Sequence, residues 1–433
     1  MKSRLHQFVI LGVGALLIIS SSNINWGKEH WRNVLQADAK GYYAYLPSLV
    51  IDHDPNFGSF DRVENGEHYD PDLFYDYRTT FNAHRINKYF CGTALLQLPF
   101  FLGAHAYCGI TDNVDDGYTK PYVIAINLAA IFWVLVGLWA TGALLRTYSI
   151  SENLIAFTLV AFAFGTNLFY YAVVAPGMSH AYSFGLCSLF LLVARHMALN
   201  FRPVHLIQAG ALLGTIILVR PVNGMILLAI PIVFNTGIEF KEWIRNVLRT
   251  PRQLLLSIAI GLSIMSLQFI YYRIATGSWL VYSYGEEGFN WMDPHMIDIL
   301  FSYKKGLFVY LPLLGLSLVG LKFLWDRSKW SALAWLAFFV VLTYVLSAWW
   351  NWWYGGSFGA RPYVEYFGLF ALLFGFAVQN LNGKIRVIFI TTTVALIVLC
   401  QVQTYQARYF QIHWEDMTKD KYWDVFLRVD KIT

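Results

Sequence analysis

Charge is scarce in this chain. Asp, Glu, Lys and Arg make up 14% of its 433 residues, against about 25% in an ordinary soluble protein. With 57% hydrophobic and 18% aromatic residues, that shortage excludes a water-soluble globular fold and leaves the membrane as the setting. Cysteine is scarce as well. Cys91, Cys108, Cys187 and Cys400 stand far apart with no Cys-x-x-Cys pair, and Cys187 and Cys400 fall in apolar runs, where a free thiol behaves as a small hydrophobe. That spacing points to neither a zinc site nor a disulfide scaffold. The formal charge is only +5, and no Lys/Arg-rich stripe of the kind that tracks nucleic acid is present, so no nucleic-acid partner is expected. Internal repeats and low-complexity tracts are also missing.

Apolar runs long enough to span a bilayer, roughly 17 to 25 residues each, recur from end to end. The expected spans are 8–22, 121–145, 154–173, 180–198, 204–219, 222–236, 254–275, 306–324, 331–349, 363–381 and 387–405. The fold class that follows is an all-α polytopic membrane protein of about 11 transmembrane helices. Phe8 to Ser22 follows a basic start, but Ser20-Ser21-Ser22 runs into Asn23-Ile24-Asn25-Trp26 without a small-x-small cleavage site, so it reads as an uncleaved first span. With the N-terminus inside, fourteen Lys and Arg from short loops and span ends fall on the cytoplasmic side, Lys2 and Arg4 among them, against five outside. The domain reading is a transmembrane unit over 1–405, with a first outer loop at 23–120 carrying interfacial helices, and an outward-facing tail over 406–433. Gly92 to Ile110, broken by Pro99 and carrying Gln97 and His105, is expected to lie along the interface. Leu206 to Phe234 is expected to be two short helices hinged at Arg220-Pro221-Val222-Asn223.

This topology sends the polar stretches to one side. They are Asp38, Asp52-His53-Asp54, His84 to Tyr89, Pro176 to His180, Arg220 to Asn223, Tyr282 to Glu287, Tyr303 to Gly306 and Trp352 to Arg361. One outer cavity could hold them all, with the loop from Trp31 to Tyr89, and Gln36 to Tyr43 within it, as its active part. Arg220 and Arg361 stand out because an arginine at a span end is costly unless it is paired or holds an anion. The aromatics Trp349, Trp350, Trp352, Trp353 and Tyr354 read as an interface belt.

In chain order, the series Asp38 with Gly41-Tyr42-Tyr43, Asn87-Lys88-Tyr89, Met178-Ser179-His180-Ala181, Arg220-Pro221-Val222-Asn223, Tyr284-Gly285, Lys305-Gly306-Leu307-Phe308 and Gly355-Gly356-Ser357-Phe358-Gly359-Ala360-Arg361 resembles the bacterial GT-C integral-membrane glycosyltransferases that use polyprenyl-phosphate sugars. The resemblance covers about residues 30 to 370. It implies a GT-C-like helix arrangement in a bacterial inner membrane and a hexosyl- or pentosyltransferase whose active site faces the periplasm or exterior. The partners implied are a polyprenyl-phosphate-linked sugar, a lipid, glycan or protein acceptor, and the bilayer itself.

By the same resemblance Asp38 is the catalytic carboxylate. A sugar hydroxyl is too weak an acid to attack unaided, so a carboxylate must accept its proton. The leaving lipid phosphate calls for cations or a metal. Lys88, Tyr89, His180, Arg220, Tyr284, Glu286 and Arg361 are the candidates for the donor phosphate and sugar, with Arg361 favoured because a guanidinium grips two phosphate oxygens. The resemblance fixes no cofactor, and Asp52 and Asp54, which have the Asp-x-Asp form of a divalent-metal site, are the candidates for holding a divalent metal ion. The chain departs from the family pattern at Ala39, where many relatives carry a second acid, and at Phe90-Cys91, which replace the prolines that often follow Lys-Tyr. Two rival readings are a lipid or polysaccharide transporter or flippase, and a non-enzymatic protein that binds lipid-linked sugar.

Overall fold

The computed structural model describes residues 5–66, 68, 69 and 73–430, so Lys2 and Arg4 of the basic start lie outside the described residues. In chain order the helices are α1 (Leu5–Asn25), α2 (Asp38–Val50), α3 (Phe60–Glu64), α4 (Gly92–Gly109), α5 (Lys120–Thr147), α6 (Glu152–Phe164), α7 (Ser179–Leu199), α8 (Pro203–Val219), α9 (Gly237–Leu248) and α10 (Pro251–Thr276). They continue as α11 (Met296–Phe301), α12 (Leu307–Tyr310), α13 (Pro312–Ser317), α14 (Gly320–Arg327), α15 (Lys329–Ser347), α16 (Phe367–Asn380), α17 (Gly383–Arg408) and α18 (Lys419–Val425). Two short strands, β1 (Arg78–Phe81) and β2 (His84–Asn87), form an antiparallel hairpin.

All eleven expected spans fall on helical segments, but not all of them are single long helices. Among the described residues seven helices are long and apolar enough to cross a membrane: α1, α5, α7, α10, α15, Arg361–Asn380 and α17. An eighth is reached if Pro221–Val233 and α9, bent by 120° at their junction, are taken as one broken span. The differences from the sequence reading have local causes. The 154–173 segment stops as α-helix at Phe164, and Gly165 and Thr166 precede a π-helical turn over Tyr170–Val174. The 306–324 segment is cut into α12, α13 and α14, with Pro312 opening the second piece because its ring cannot continue the helix before it. Helix α8 ends at Val219, and Arg220 is extended (φ −153°, ψ 117°) before a 3-10 segment over Pro221–Val233, so the hinge falls where the Arg-Pro pair suggested.

The bundle is organised around Arg361–Asn380, whose apolar window is 94% buried, whereas α10 and α17 are each 17% buried and turn most of their surface outward. The two ends of the bundle differ chemically. At one end His6 and Arg146 meet Glu152, with Arg146 Nε donating to Glu152 Oε1 at 2.8 Å. Arg195 stands over the Tyr148 ring at the same end and donates to the Val233 carbonyl at 2.6 Å. At the opposite end Asn25 reaches Val173, and the segments carrying Asp38, Tyr89, Arg220 and Arg361 gather.

The first loop is packed into the protein. Every residue of α2 from Ala39 to Ser48 is buried, because the loop wraps round the helix. Lys40 is enclosed with Glu64, Nζ to Oε2 2.6 Å, and also donates to the Leu73 carbonyl at 2.8 Å. A buried charge is tolerated only when it is paired and hydrogen-bonded in this way. The hairpin is an addition to the all-α expectation. Asn82 (φ 48°) and Ala83 (φ 65°) are both left-handed, the geometry of a tight two-residue turn whose twist matches its strands.

Candidate active site

Asp38 opens α2, one residue after a strained one: Ala37 has φ 46° and ψ −127°, a conformation that costs a residue with a Cβ. The carboxylate is held on both oxygens. Tyr89 Oη donates to Oδ1 at 2.7 Å, the Arg361 guanidinium donates to Oδ2 at 2.7 Å, and the Tyr75 hydroxyl lies 3.4 Å from Oδ1 and 2.6 Å from that of Tyr89. Burial pushes the Asp38 carboxyl up. Arg361, the Tyr89 hydrogen bond and Lys88 outweigh it, so the group sits below the ordinary aspartate value and is ionised at neutral pH.

Tyr89 is placed by the three-residue run that ends the hairpin. Asn87 Nδ2 donates to the Gly41 carbonyl at 2.7 Å, Asn87 Oδ1 accepts from the Tyr89 amide at 3.0 Å, and Tyr45 Oη donates to the Tyr89 carbonyl at 2.7 Å. The ring then lies against Gly41, where a Cβ would meet Tyr89 Cδ2 at 2.3 Å and Tyr77 Cβ at 2.9 Å. We therefore expect Gly41→Ala to displace Tyr89 and to cost about 1–3 kcal/mol of stability, as overpacking does. Thermal unfolding in detergent checks this, with Gly12→Ala, where nothing lies within 4 Å, as the neutral control.

Arg361 is placed by a loop pinned from several sides. Asn167 Nδ2 donates to the Phe358 carbonyl at 2.8 Å, and the buried Lys305 ammonium donates to the Ser357 carbonyl. Gly359 turns at φ 65°, open to glycine and strained for other residues, and its carbonyl accepts from the Arg361 amide at 2.9 Å. Burial, with Arg361 and Lys304 nearby, pulls the Lys305 ammonium down to about 7.

Beside this pair lies a cavity of about 1310 Å³. Asp38, Lys88, Tyr89, Arg220, Tyr284 and Arg361 all line it. Two other sequence candidates do not. His180 is fully buried behind the wall, where its Nδ1 is 3.0 Å from Glu365 Oε1, and the same oxygen accepts from Arg220 at 3.0 Å. Glu286 is exposed, and its neighbour Glu287 lines the cavity instead, paired with Lys88 at 2.5 Å. Each of the three expected phosphate cations thus has a carboxylate partner: Arg361 with Asp38, Arg220 with Glu365, and Lys88 with Glu287.

Asp52 and Asp54 lie away from the cavity lining. Asp54 accepts from the Asn56 and Gly58 amides at 2.8 and 2.5 Å, which fixes a turn, and Asp52 faces Arg62 at 3.5 Å. Among the described residues no group of three His, Cys, Asp or Glu is arranged to hold a metal ion. The Asp-x-Asp run therefore does not fit a metal. The aromatic reading also changes. Trp349, Trp350 and Tyr354 line the cavity rather than serving only as a belt, and the tail contributes Trp414 and Glu415 to the wall.

Sequence reasoning missed Glu365, Tyr75 and Glu287. A glutamate inside an apolar span was itself a signal for the first, whereas only the fold brings the other two beside Asp38 and Lys88.

The chain is similar in overall fold to several solved chains, one of them an archaeal enzyme. That enzyme is the archaeal oligosaccharyltransferase AglB from Archaeoglobus fulgidus, solved with an inhibitory peptide and a dolichol-phosphate, similar at a TM-score of 0.49 and 10% identity over 99% of this chain and 60% of that chain. The chain thus spans 60% of the length of the structure it matches, and a likeness of that size carries no residue role across. No protein-family model and no curated protein matches the chain.

Proposed function

We propose that the chain is a membrane glycosyltransferase that moves a sugar from a polyprenyl-phosphate donor to an acceptor hydroxyl on the extracytoplasmic side, with Asp38 as general base. The observation that carries this reading is an ionised carboxylate at the wall of a large cavity, hydrogen-bonded to Tyr89 and ion-paired to an arginine that lines the same cavity. The acceptor hydroxyl gives its proton to Asp38 as its oxygen bonds to the anomeric carbon. The bond from that carbon to the phosphate oxygen breaks, and its electron pair leaves with the lipid phosphate. Arg361, Arg220 and Lys88 stand on that cavity to meet the phosphate charge, and Tyr89, Tyr284 and Trp349 offer ring faces to the sugar. Glu365 and His180 act from behind by holding Arg220 in place. The basic end of the bundle, carrying Arg146 and Arg195, supports a cytoplasmic assignment for that end and an exterior one for the cavity.

The test is transfer of labelled sugar from a synthetic polyprenyl-phosphate hexose to envelope acceptors by the purified full chain. Release of free polyprenyl phosphate together with labelled acceptor is the expected result, and EDTA should leave the rate unchanged. Movement of intact donor across the bilayer without cleavage of the glycosyl bond would overturn the enzyme in favour of a flippase.

A further inference from the structure

The Arg361 guanidinium is incompletely used. One terminal nitrogen donates to Asp38 at 2.7 Å, the other has the Met178 sulfur at 3.9 Å, and the buried Nε has no hydrogen-bond partner among the described residues. Thioether sulfur is a weak acceptor, and a buried donor left without a partner is costly, so this fork is set to take a stronger acceptor. The other two cations differ. Arg220 answers to Glu365, which is wholly buried and has no exposure to a substrate, and Lys88 is held by Glu287. Only Arg361 is paired with the carboxylate that the proposed chemistry protonates.

We infer that Arg361 is shared between Asp38 and the donor phosphate, so that phosphate binding and proton uptake by Asp38 are linked. This rests on the glycosyltransferase reading and deepens it. Asp38 and Arg361 form a neutral pair at rest. A phosphate that takes the free side of the fork draws the guanidinium's charge away and sets an anion beside the carboxylate. Both effects favour the protonated acid. During transfer the proton comes from the acceptor hydroxyl. The pair then gains one positive charge as the phosphate, changing from diester to monoester, gains one negative charge, and the guanidinium meets it with a bidentate contact.

The other groups facing Asp38 do not supply this coupling. Tyr75 and Tyr89 are pushed up by burial and by Asp38 itself, and so stay neutral donors. Tyr42 from α2 and Tyr284 are likewise neutral, Arg220 is tied to Glu365, and Lys88, whose downward pull on Asp38 is smaller than that of Arg361, is paired with Glu287.

The experiment is titration calorimetry of the full chain in micelles with short-chain polyprenyl phosphate. It is run between about pH 4 and 6, above the ordinary aspartate value, in buffers of different ionisation enthalpy. Wild type should take up more protons per bound lipid than Asp38→Asn, the difference rising toward about one as the pH falls. The titration of the free lipid phosphate is common to both proteins, and infrared difference spectra separate protonation of the carboxyl from that of the bound phosphate. Arg361→Gln should bind more weakly and lose the Asp38-dependent uptake. Equal uptake by wild type and Asp38→Asn would overturn the inference and leave the transferase reading standing, whereas no binding of polyprenyl phosphate by wild type would overturn both. Should Asp38→Asn not fold, infrared difference spectra of wild type decide. A protonated-carboxyl band that appears with polyprenyl phosphate and not with polyprenol supports the linkage, and no such band overturns it.

Discussion

Asp38→Asn should lower sugar transfer by about 10²–10⁴-fold, the usual contribution of a general base, while the protein still folds. The change keeps the size of the side chain and lets its oxygen accept from Tyr89, so what is lost is the basic oxygen and the ion pair with Arg361. Transfer rates of purified protein, with thermal unfolding as the folding control, check this. Activity within a few-fold of wild type would remove Asp38 from the chemistry. The pH profile adds a second reading. Arg361, Tyr89 and Lys88 hold the free enzyme's carboxyl below its ordinary value, so kcat/KM should stay flat down to about pH 4 and fall only as Asp38 takes a proton. If the phosphate shares Arg361, the acid limb of kcat, which reports the bound complex, should lie at higher pH than that of kcat/KM.

Glu365→Ala should have the largest effect on stability, about 3–5 kcal/mol, because removing one member of a buried pair leaves the other charge uncompensated. Glu365 is 0% exposed and Arg220 16% exposed, and the same carboxylate oxygen also serves His180. Thermal unfolding in detergent should show a large fall in midpoint for Glu365→Ala and a smaller one for Glu365→Gln, whose amide oxygen can still accept. Asp326→Ala is the contrast. Its partner Lys322 is 72% exposed on the same helix face, and such surface pairs contribute about 0.5 kcal/mol or less. Equal losses for Glu365→Ala and Asp326→Ala would mean that the buried pair adds nothing.

The two results concern residues of very different legibility. Asp38 was readable because it stands in the first polar stretch after a span, and Arg220 because Arg-Pro interrupts an apolar run. Gly41 and Asn87 stand in the motifs that carry the resemblance, but their packing role was not readable, since a tyrosine ring packed on a glycine forty-eight positions away leaves no local pattern. The Asp52-His53-Asp54 run is ambiguous for the opposite reason. Its carboxylates match a metal motif in type and spacing, yet Asp54 serves the Asn56 and Gly58 amides, a turn function that suits aspartate equally well. Glu286 and Glu287 differ by one position, and loop geometry alone decides which of them reaches Lys88.

Composition and periodicity by themselves determined that this is a helical membrane chain with polar segments gathered between spans, because apolar length and the cost of charge in lipid are properties of local sequence. The order of the polar motifs also determined which residues to consider. Which apolar runs form single unbroken helices was decided only by the tertiary structure, where Gly165 and Pro312 break runs that hydropathy joins. The pairing of Arg361, Arg220 and Lys88 each with its own carboxylate was decided there too, since Asp38 and Arg361 meet at 2.7 Å from positions 323 residues apart. Pairings between distant segments depend on how whole elements pack, and no local pattern in the chain encodes them.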